Sequence, residues 1–251
     1  MSLPIVLIHG YGFDHRIWAP VELAFTGHHV ILLSLPGFMA SSDEQAEPLD
    51  APYSISELAA KFWSEIDPHI APRVHLAGHS MGGYVCLEMA AQHPERVASL
   101  ALIHSHVFAD SDEKKAQRGA TIEDIQHHGH ESLVKRMIPS LFFQPQEKAV
   151  VVQKLIDRAM GYPDPAWSFG AGAMRDRREH AETIAGLSVP VLMIMGDHDS
   201  AVPLDVIYRQ AGLPANGCLR IYENTGHMSM YERPMLLTED MARFYDGMAA
   251  T

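Results

Sequence analysis

The chain has 251 residues, 47% of them hydrophobic and 20% charged, and 31 Asp and Glu against 19 Lys and Arg give it a formal net charge of −12. That balance excludes a basic face for nucleic acid, and any anionic ligand must find a local positive site against a repelling background. Two cysteines, Cys86 and Cys218, exclude a disulfide framework and fit a reducing compartment.

The first apolar run, LPIVLI, stops at His9. It is too short for a signal h-region with a cleavage site or for a membrane span, and no later run approaches about 18 apolar residues. The expectation is a cytoplasmic protein that binds neither nucleic acid nor membrane. Residues 5–9 (IVLIH) form the first strand; their continuous apolar character, rather than an alternating one, predicts burial on both faces of a parallel sheet. HGYG (residues 9–12) follows directly. Its glycines allow the chain to turn the Tyr11 N–H inward, although an ordinary strand-ending turn uses glycine equally well. His9 and Asp14 read as braces of this loop.

A second strand is expected at residues 29–34 (HVILLS), followed by LPGFMASS (residues 35–42) with Phe38 on the loop. SISELAAKFWSEI opens with Ser54 and has Glu57 three residues on, a capping-box spacing, and Leu58, Phe62 and Ile66 then form one helical stripe. The third strand, residues 73–78 (RVHLAG), runs into GHSMGG (residues 78–83) and a helical pattern that stops at Pro94, with Cys86 as a small apolar residue inside it. The fourth strand is ASLALIH, residues 98–104.

From residue 106 to residue 186 no buried strand is predicted, only helix-like segments separated by Gly and Pro and carrying Met137, Leu141, Phe142, Phe143, Met160, Tyr162, Trp167 and Phe169. This stretch reads as a helical cap over one end of the sheet, splitting a core made of residues 1–105 and 187–251. VLMIMG (residues 191–196) and LRIYE (residues 219–223) complete six strands, and RPMLLTEDMARFYDGM supplies a last amphipathic helix. Strands alternating with helices predict an α/β fold with right-handed crossovers.

Ser80 sits between Gly78 and Gly82 where a strand gives way to a helix. A serine hydroxyl is a poor nucleophile unless a histidine takes its proton, an acid orients that histidine, and N–H donors face the developing oxyanion. A strand–Gly–x–Ser–x–Gly–helix turn lifts the hydroxyl clear of the backbone and aims the Met81 N–H at the oxyanion. A serine that merely caps the helix reads the same way. Tyr11 is placed to supply the second N–H. The acid should end a later strand, and GDHD (residues 196–199) offers Asp197 and Asp199, between which periodicity does not choose. Among 16 histidines, His227 alone lies in the loop after the last strand behind a glycine. His79, next to the serine, should leave the turn on the other side and reads as structural.

Two further clusters invite a ligand. Arg175, Arg177 and Arg178 could receive a carboxylate, but Asp176, Glu179 and Glu182 are interleaved and favour a solvated helix face. His127, His128 and His130 lack the remaining ligands of a zinc site. No metal or organic cofactor is expected.

With HGYG, LPGFMASS, GHSMGG, GDHD and GH (residues 226–227) in this order, the chain resembles the α/β-hydrolase superfamily along nearly its whole length. The resemblance implies Ser80 as nucleophile, His227 as base, Asp199 rather than Asp197 as the acid, and Tyr11 and Met81 N–H groups as the oxyanion hole. Members usually carry an antiparallel hairpin before the strand bearing the HG motif. Here that strand begins within five residues of Met1, so a six-stranded parallel sheet is expected, with residues 29–34 at an exposed edge able to pair with a second copy; monomer and homodimer both stay open. The implied reaction is hydrolysis of a small carboxylic ester or lactone through an acyl-enzyme. A C–C hydrolase of vinylogous diketones, with an acidic substrate and a basic pocket, and a slow-turnover ligand receptor are the alternatives. Phe38, His106, Phe142, Trp167 and Arg175 are expected to meet the substrate.

Overall fold

A computed structural model describes residues 3–39, 49 and 51–249. Six strands, β1 (Ile5–Ile8), β2 (Val30–Leu33), β3 (Val74–His79), β4 (Val97–Ile103), β5 (Val191–Gly196) and β6 (Gly217–Tyr222), form one sheet in the order β2-β1-β3-β4-β5-β6. Every neighbouring pair is parallel. All residues of β1, β3, β4 and β5 are buried, as the unbroken apolar runs require, whereas β2 and β6 form the edges and leave side chains partly open. The run at residues 29–34 does lie at an edge, pairing among the described residues only with β1. β6 starts at Gly217, two residues before the apolar run does, because Val191 to Gly196 of β5 pair with Gly217 to Tyr222 without a break.

Because parallel strands need long crossovers, helices cover the sheet. They are α1 (Ile55–Glu65), α2 (Met81–Gln92), α3 (Asp112–His128), α4 (Glu131–Ser140), α5 (Ala149–Ala159), α6 (Asp164–Arg175), α7 (Ala181–Gly186), α8 (Leu204–Ala211), α9 (Ser229–Glu232) and α10 (Pro234–Ala249). The Ser54–Glu57 capping box is formed in both directions at α1. A 3-10 segment at His15–Phe25, kinked at Val21 after Pro20, was not expected from periodicity; it starts where Asp14 accepts the Arg16 N–H. Of the LPGFMASS run, residues 40–42 lie outside the described residues. None of the described helices is long and apolar enough to cross a membrane.

The strand order reverses at β1, whose successor β2 lies on one side and β3 on the other. Loops leaving the carboxyl ends of β1 and β3 therefore diverge and open a crevice. Helices α3 to α7 come from the β4–β5 connection, and they reach the loop after β1 through polar contacts. Tyr162 donates to Asp14 at 2.6 Å and the Tyr11 phenol donates to the Trp167 carbonyl at 2.7 Å. Asp14 also receives the Arg16 guanidinium. Burial works to raise the Asp14 carboxyl, but the hydrogen bonds from Arg16 and Tyr162 outweigh it and bring it down to about 2. That anion thus ties the loop after β1 to the helices above it.

Candidate active site

The turn between β3 and α2 is built by glycines. A Cβ at Gly78 would overlap the backbone of Gly82 and Gly83; one at Gly82 would overlap the Ile8 carbonyl of β1; one at Gly83 would overlap the Ser105 hydroxyl. Strand, helix and neighbouring strand approach so closely that no side chain fits. Between them Ser80 takes φ 52° and ψ −117°, a left-handed backbone in a residue with a side chain. Its N–H donates to the Ile103 carbonyl at 2.9 Å, and its carbonyl accepts from the Gly83 N–H and the Ser105 hydroxyl. The Ser80 hydroxyl makes no capping bond to α2. It faces a cavity instead. As the first residue of α2, Met81 has an N–H without an intrahelical acceptor.

The loop after β1 leans on this turn. A Cβ at Gly10 would sit 3.2 Å from the Ser80 Cβ and 2.6 Å from the His79 Nδ1, so only glycine allows Tyr11 to begin its turn there. His9 holds the loop from below: Nδ1–H donates to the Gly10 carbonyl and Nε2 accepts the Leu35 N–H, both at 2.9 Å.

Asp199, in the turn after β5, is the meeting point of four N–H donors. His227 Nδ1 lies 2.9 and 2.8 Å from its two oxygens, His104 Nδ1 lies 2.8 Å from Oδ2, and the Ala201 and Val202 N–H groups reach Oδ1 at 2.9 Å. Burial alone would raise this carboxyl, but the facing imidazoles and their hydrogen bonds hold it well below the usual carboxylate range. With Nδ1–H donated to Asp199, the lone pair of His227 sits on Nε2. Asp197 goes elsewhere, accepting from His198 and the Thr225 N–H.

The loop carrying His227 is clamped from three sides. Its N–H donates to the Leu141 carbonyl at 2.6 Å, its carbonyl accepts the His79 Nε2–H at 3.0 Å, and the Glu232 carboxylate accepts the N–H groups of Gly226, Met228 and Phe143. His79 makes no hydrogen bond to the Ser80 side chain and grips the backbone of His227 instead. Burial, then the neighbouring imidazoles of His227 and His104, push His79 well below the ordinary histidine value, and burial pushes His104 down too.

Sequence reasoning missed His104 and Glu232. A histidine at the end of the fourth strand carries no motif of its own, and Glu232 carries none because its partners are backbone N–H groups, two of them in the loop just before it and one, on Phe143, far along the chain.

A cavity of about 300 Å³ opens above Ser80, His227 and Tyr11. Met137, Leu141 and Met174 of the inserted helical stretch close its apolar side, and Lys114, Gln117, Arg118 and Thr121 line another side. The five side chains expected to meet substrate lie outside it. Phe38 is fully buried beneath Tyr11, edge-on to Tyr162 and Trp167; Trp167 is fully buried and stacks on His130 at 5.4 Å. Phe142 is buried against Tyr231, because its chain is pinned at the His227 loop. His106 stands behind Tyr84, with Nε2 3.2 Å from the phenol, and Arg175 is engaged by Asp176 at the surface. The aromatic residues of the insertion are used to fasten helices, and its contribution to the lining comes from α3 and from aliphatic side chains such as Leu133, Met137, Leu141 and Met174. His127, His128 and His130 each bond a separate acceptor, on Glu123, Asp124 and Asp164. Among the described residues the only grouping suited to an ion is His104, Asp199 and His227.

The buried neutral imidazoles set an acid limit on stability. His9 is lowered to about 4 by burial, with His79 and His104 also below their ordinary value. Below about pH 6.5 the unfolded chain takes up protons that these native imidazoles refuse, so the unfolding free energy falls as pH falls. Each such group contributes about 1.4 kcal/mol per pH unit until its own folded value is reached, near pH 4 for His9. Urea unfolding between pH 7 and pH 4.5 should show this loss; a flat profile would contradict it.

The alpha/beta hydrolase family profile matches residues 5–240. Over 253 aligned positions the chain is 25% identical to Lipase 3 of Moraxella sp. (strain TA144), covering 98% of this chain and 78% of that one. A thermophilic esterase from Thermogutta terrifontis, in its malate-bound structure, superposes with a TM-score of 0.87 at 24% identity, covering 99% of this chain and 91% of that one. The enol-lactonase from Burkholderia xenovorans LB400 superposes with a TM-score of 0.84 at 23% identity, covering 97% and 91%. These two likenesses concern the fold. A profile spanning nearly the whole chain, on a six-stranded parallel sheet with a glycine-built turn at Ser80, leaves one conclusion: this chain belongs to the alpha/beta hydrolase family.

Proposed function

We propose that this hydrolase cleaves a carboxylic ester or lactone through an acyl-enzyme, with Ser80 as nucleophile, His227 as base, Asp199 as the orienting acid, and the Tyr11 and Met81 N–H groups as the oxyanion hole. The observation that carries the reading is the Asp199–His227 hydrogen bond, which leaves the His227 Nε2 lone pair beside the same cavity as the Ser80 hydroxyl. The two side chains are not hydrogen-bonded to each other in the resting geometry, and catalytic hydrogen bonds commonly tighten only around substrate. Ser80 Oγ attacks the carbonyl carbon as its proton passes to His227 Nε2; the imidazolium is steadied by Asp199 and returns the proton to the leaving alkoxide. Water then repeats the sequence on the acyl-enzyme and releases the acid. Residues 106–186 act as the cap that excludes bulk water. The similarity to Lipase 3 supports an ester bond as the target.

A second reading is favoured by one observation. Lys114 and Arg118 make part of the cavity wall cationic, as C–C hydrolysis of an acidic vinylogous diketone would require. Parallel assays on p-nitrophenyl acetate, a graded panel of esters and lactones, and a dienoic diketone test both. Ester or lactone turnover with none on the diketone is the expected result. Turnover of the diketone alone would overturn the ester reading, and saturable ligand binding without turnover of any of them would make the protein a receptor.

A further inference from the structure

Helix α3 places Lys114, Gln117, Arg118 and Thr121 at spacings of three, one and three residues, which is a single face, and that face lines the cavity above Ser80. Among the described lining residues there are two cations and no Asp or Glu, in a chain whose formal charge is −12. Asp110 is the carboxylate behind them, and it is shared: Arg118 and Arg177 both pair with it. One anion against Arg118, Arg177 and Lys114 leaves excess positive charge at this side. The neighbouring imidazole adds none, since burial and then Arg177 lower His106 to about 3. On α3 itself Glu113 accepts weakly from the lining residue Gln117, at 3.4 Å, and Asp176, just after α6, pairs with Arg175.

Asp110 does not need Arg118 to stay in place. Arg177 holds it at 2.7 Å and is itself fixed by the carbonyls of Met174 and Phe108 and by the Tyr84 ring, 4.1 Å beneath its guanidinium. Arg118 is accordingly free to share its planar fork with a second carboxylate, and Lys114, exposed at the mouth, can follow as a point charge.

We propose that Arg118 and Lys114 form a carboxylate subsite, so that the substrate carries a free acid group as well as the carbonyl presented to Ser80: a monoester of a dicarboxylic acid or a carboxylated lactone. This rests on the acyl-hydrolase reading above. Overall repulsion by the protein would select against such a substrate; the local wall reverses that selection at the site alone.

Monoethyl esters of succinic to suberic acid, each compared with its diethyl ester, test it through the ratio of their kcat/KM values. At one chain length the monoester should be preferred by about tenfold or more, as for hydrogen bonds to a charged group. Arg118→Gln should lower that ratio about tenfold, Lys114→Gln should lower it less, and about 1 M NaCl should lower it in the native protein. Lys135→Gln removes the same charge from an exposed ion pair on α4 and should leave the ratio as it was. Circular dichroism of each variant reports folding; because Lys114 is exposed, its variant decides the matter should Arg118→Gln unfold. A preference for the diester at every length, or a ratio indifferent to both substitutions, overturns the subsite. Absence of p-nitrophenyl acetate turnover and of fluorophosphonate labelling in the native protein would overturn the acyl-hydrolase reading as well, whereas turnover with a flat ratio overturns the subsite alone.

Discussion

Ser80→Ala is expected to remove labelling by a fluorophosphonate and to lower ester turnover by about 10⁴-fold or more, with the fold intact. The hydroxyl makes no cap for α2, so its loss leaves the helix N-terminus as it was. The turn is set by Gly78, Gly82 and Gly83 and by hydrogen bonds to the Ser80 backbone, all of which survive the substitution. The N–H groups proposed as oxyanion donors also survive, and they would account for whatever activity remains above that of water. Intact-mass measurement after labelling reads the result directly. A variant that still labels at the native rate would place the nucleophile elsewhere.

Asp199→Asn should reduce kcat/KM by about 10⁴-fold, the cost of presenting a histidine in the wrong tautomer. Four N–H groups now converge on two carboxylate oxygens. An amide replaces one of those acceptors with a donor, so at least one imidazole must lose its Nδ1–H partner or shift its proton to Nε2. In His227 that shift puts a proton where, in the proposed mechanism, the lone pair accepts one from Ser80. In His104 it would set a new Nε2–H against the Ser229 N–H that now donates there at 3.4 Å. Either way a buried polar group goes unsatisfied, and a loss of stability of about 1–3 kcal/mol should accompany the loss of rate. Steady-state kinetics with urea unfolding of the same preparation checks both. A variant within tenfold of native turnover would show that the carboxylate does not set the tautomer.

The two substitutions separate chemistry from architecture. Ser80 occupies a strained turn maintained by its neighbours, so its side chain can be removed with little structural consequence. Asp199 lies where the ends of β4 and β5 and the loop after β6 meet, so its side chain holds three segments together besides the part proposed for it in the reaction. His104 makes that difference: one carboxylate serves two imidazoles, and any change at Asp199 is felt by both.

Much of this arrangement was legible in the residues because it rests on short-range geometry. Continuous apolar runs specify strands buried on both faces, and five of the six strands fall within a residue or so of where those runs lie. Glycines at positions 10, 78 and 82 mark backbones that touch, which is a constraint a single residue type can meet, and the histidine behind Gly226 follows from the order of strands. The pocket was not legible. Trp167, Phe38 and Phe142 are the large apolar side chains any reading would send to a substrate site, but burying them in the joints between helices and loops releases more water than leaving them along a cavity.

The sequence by itself determined the parallel sheet, the order of its loops, and the tight turn at Ser80, because local sterics and hydrophobic periodicity act between neighbours in the chain. Periodicity did not separate Asp199 from Asp197, a choice that rested on the resemblance, and only the tertiary structure decided that His104 shares the carboxylate with His227 and that the charged stripe of α3 lines the cavity. A stripe of Lys, Gln, Arg and Thr has the same spacing on a solvated helix and on a binding wall. What distinguishes them is the position of α3 over the ends of β1 and β3, fixed by contacts among segments far apart along the chain.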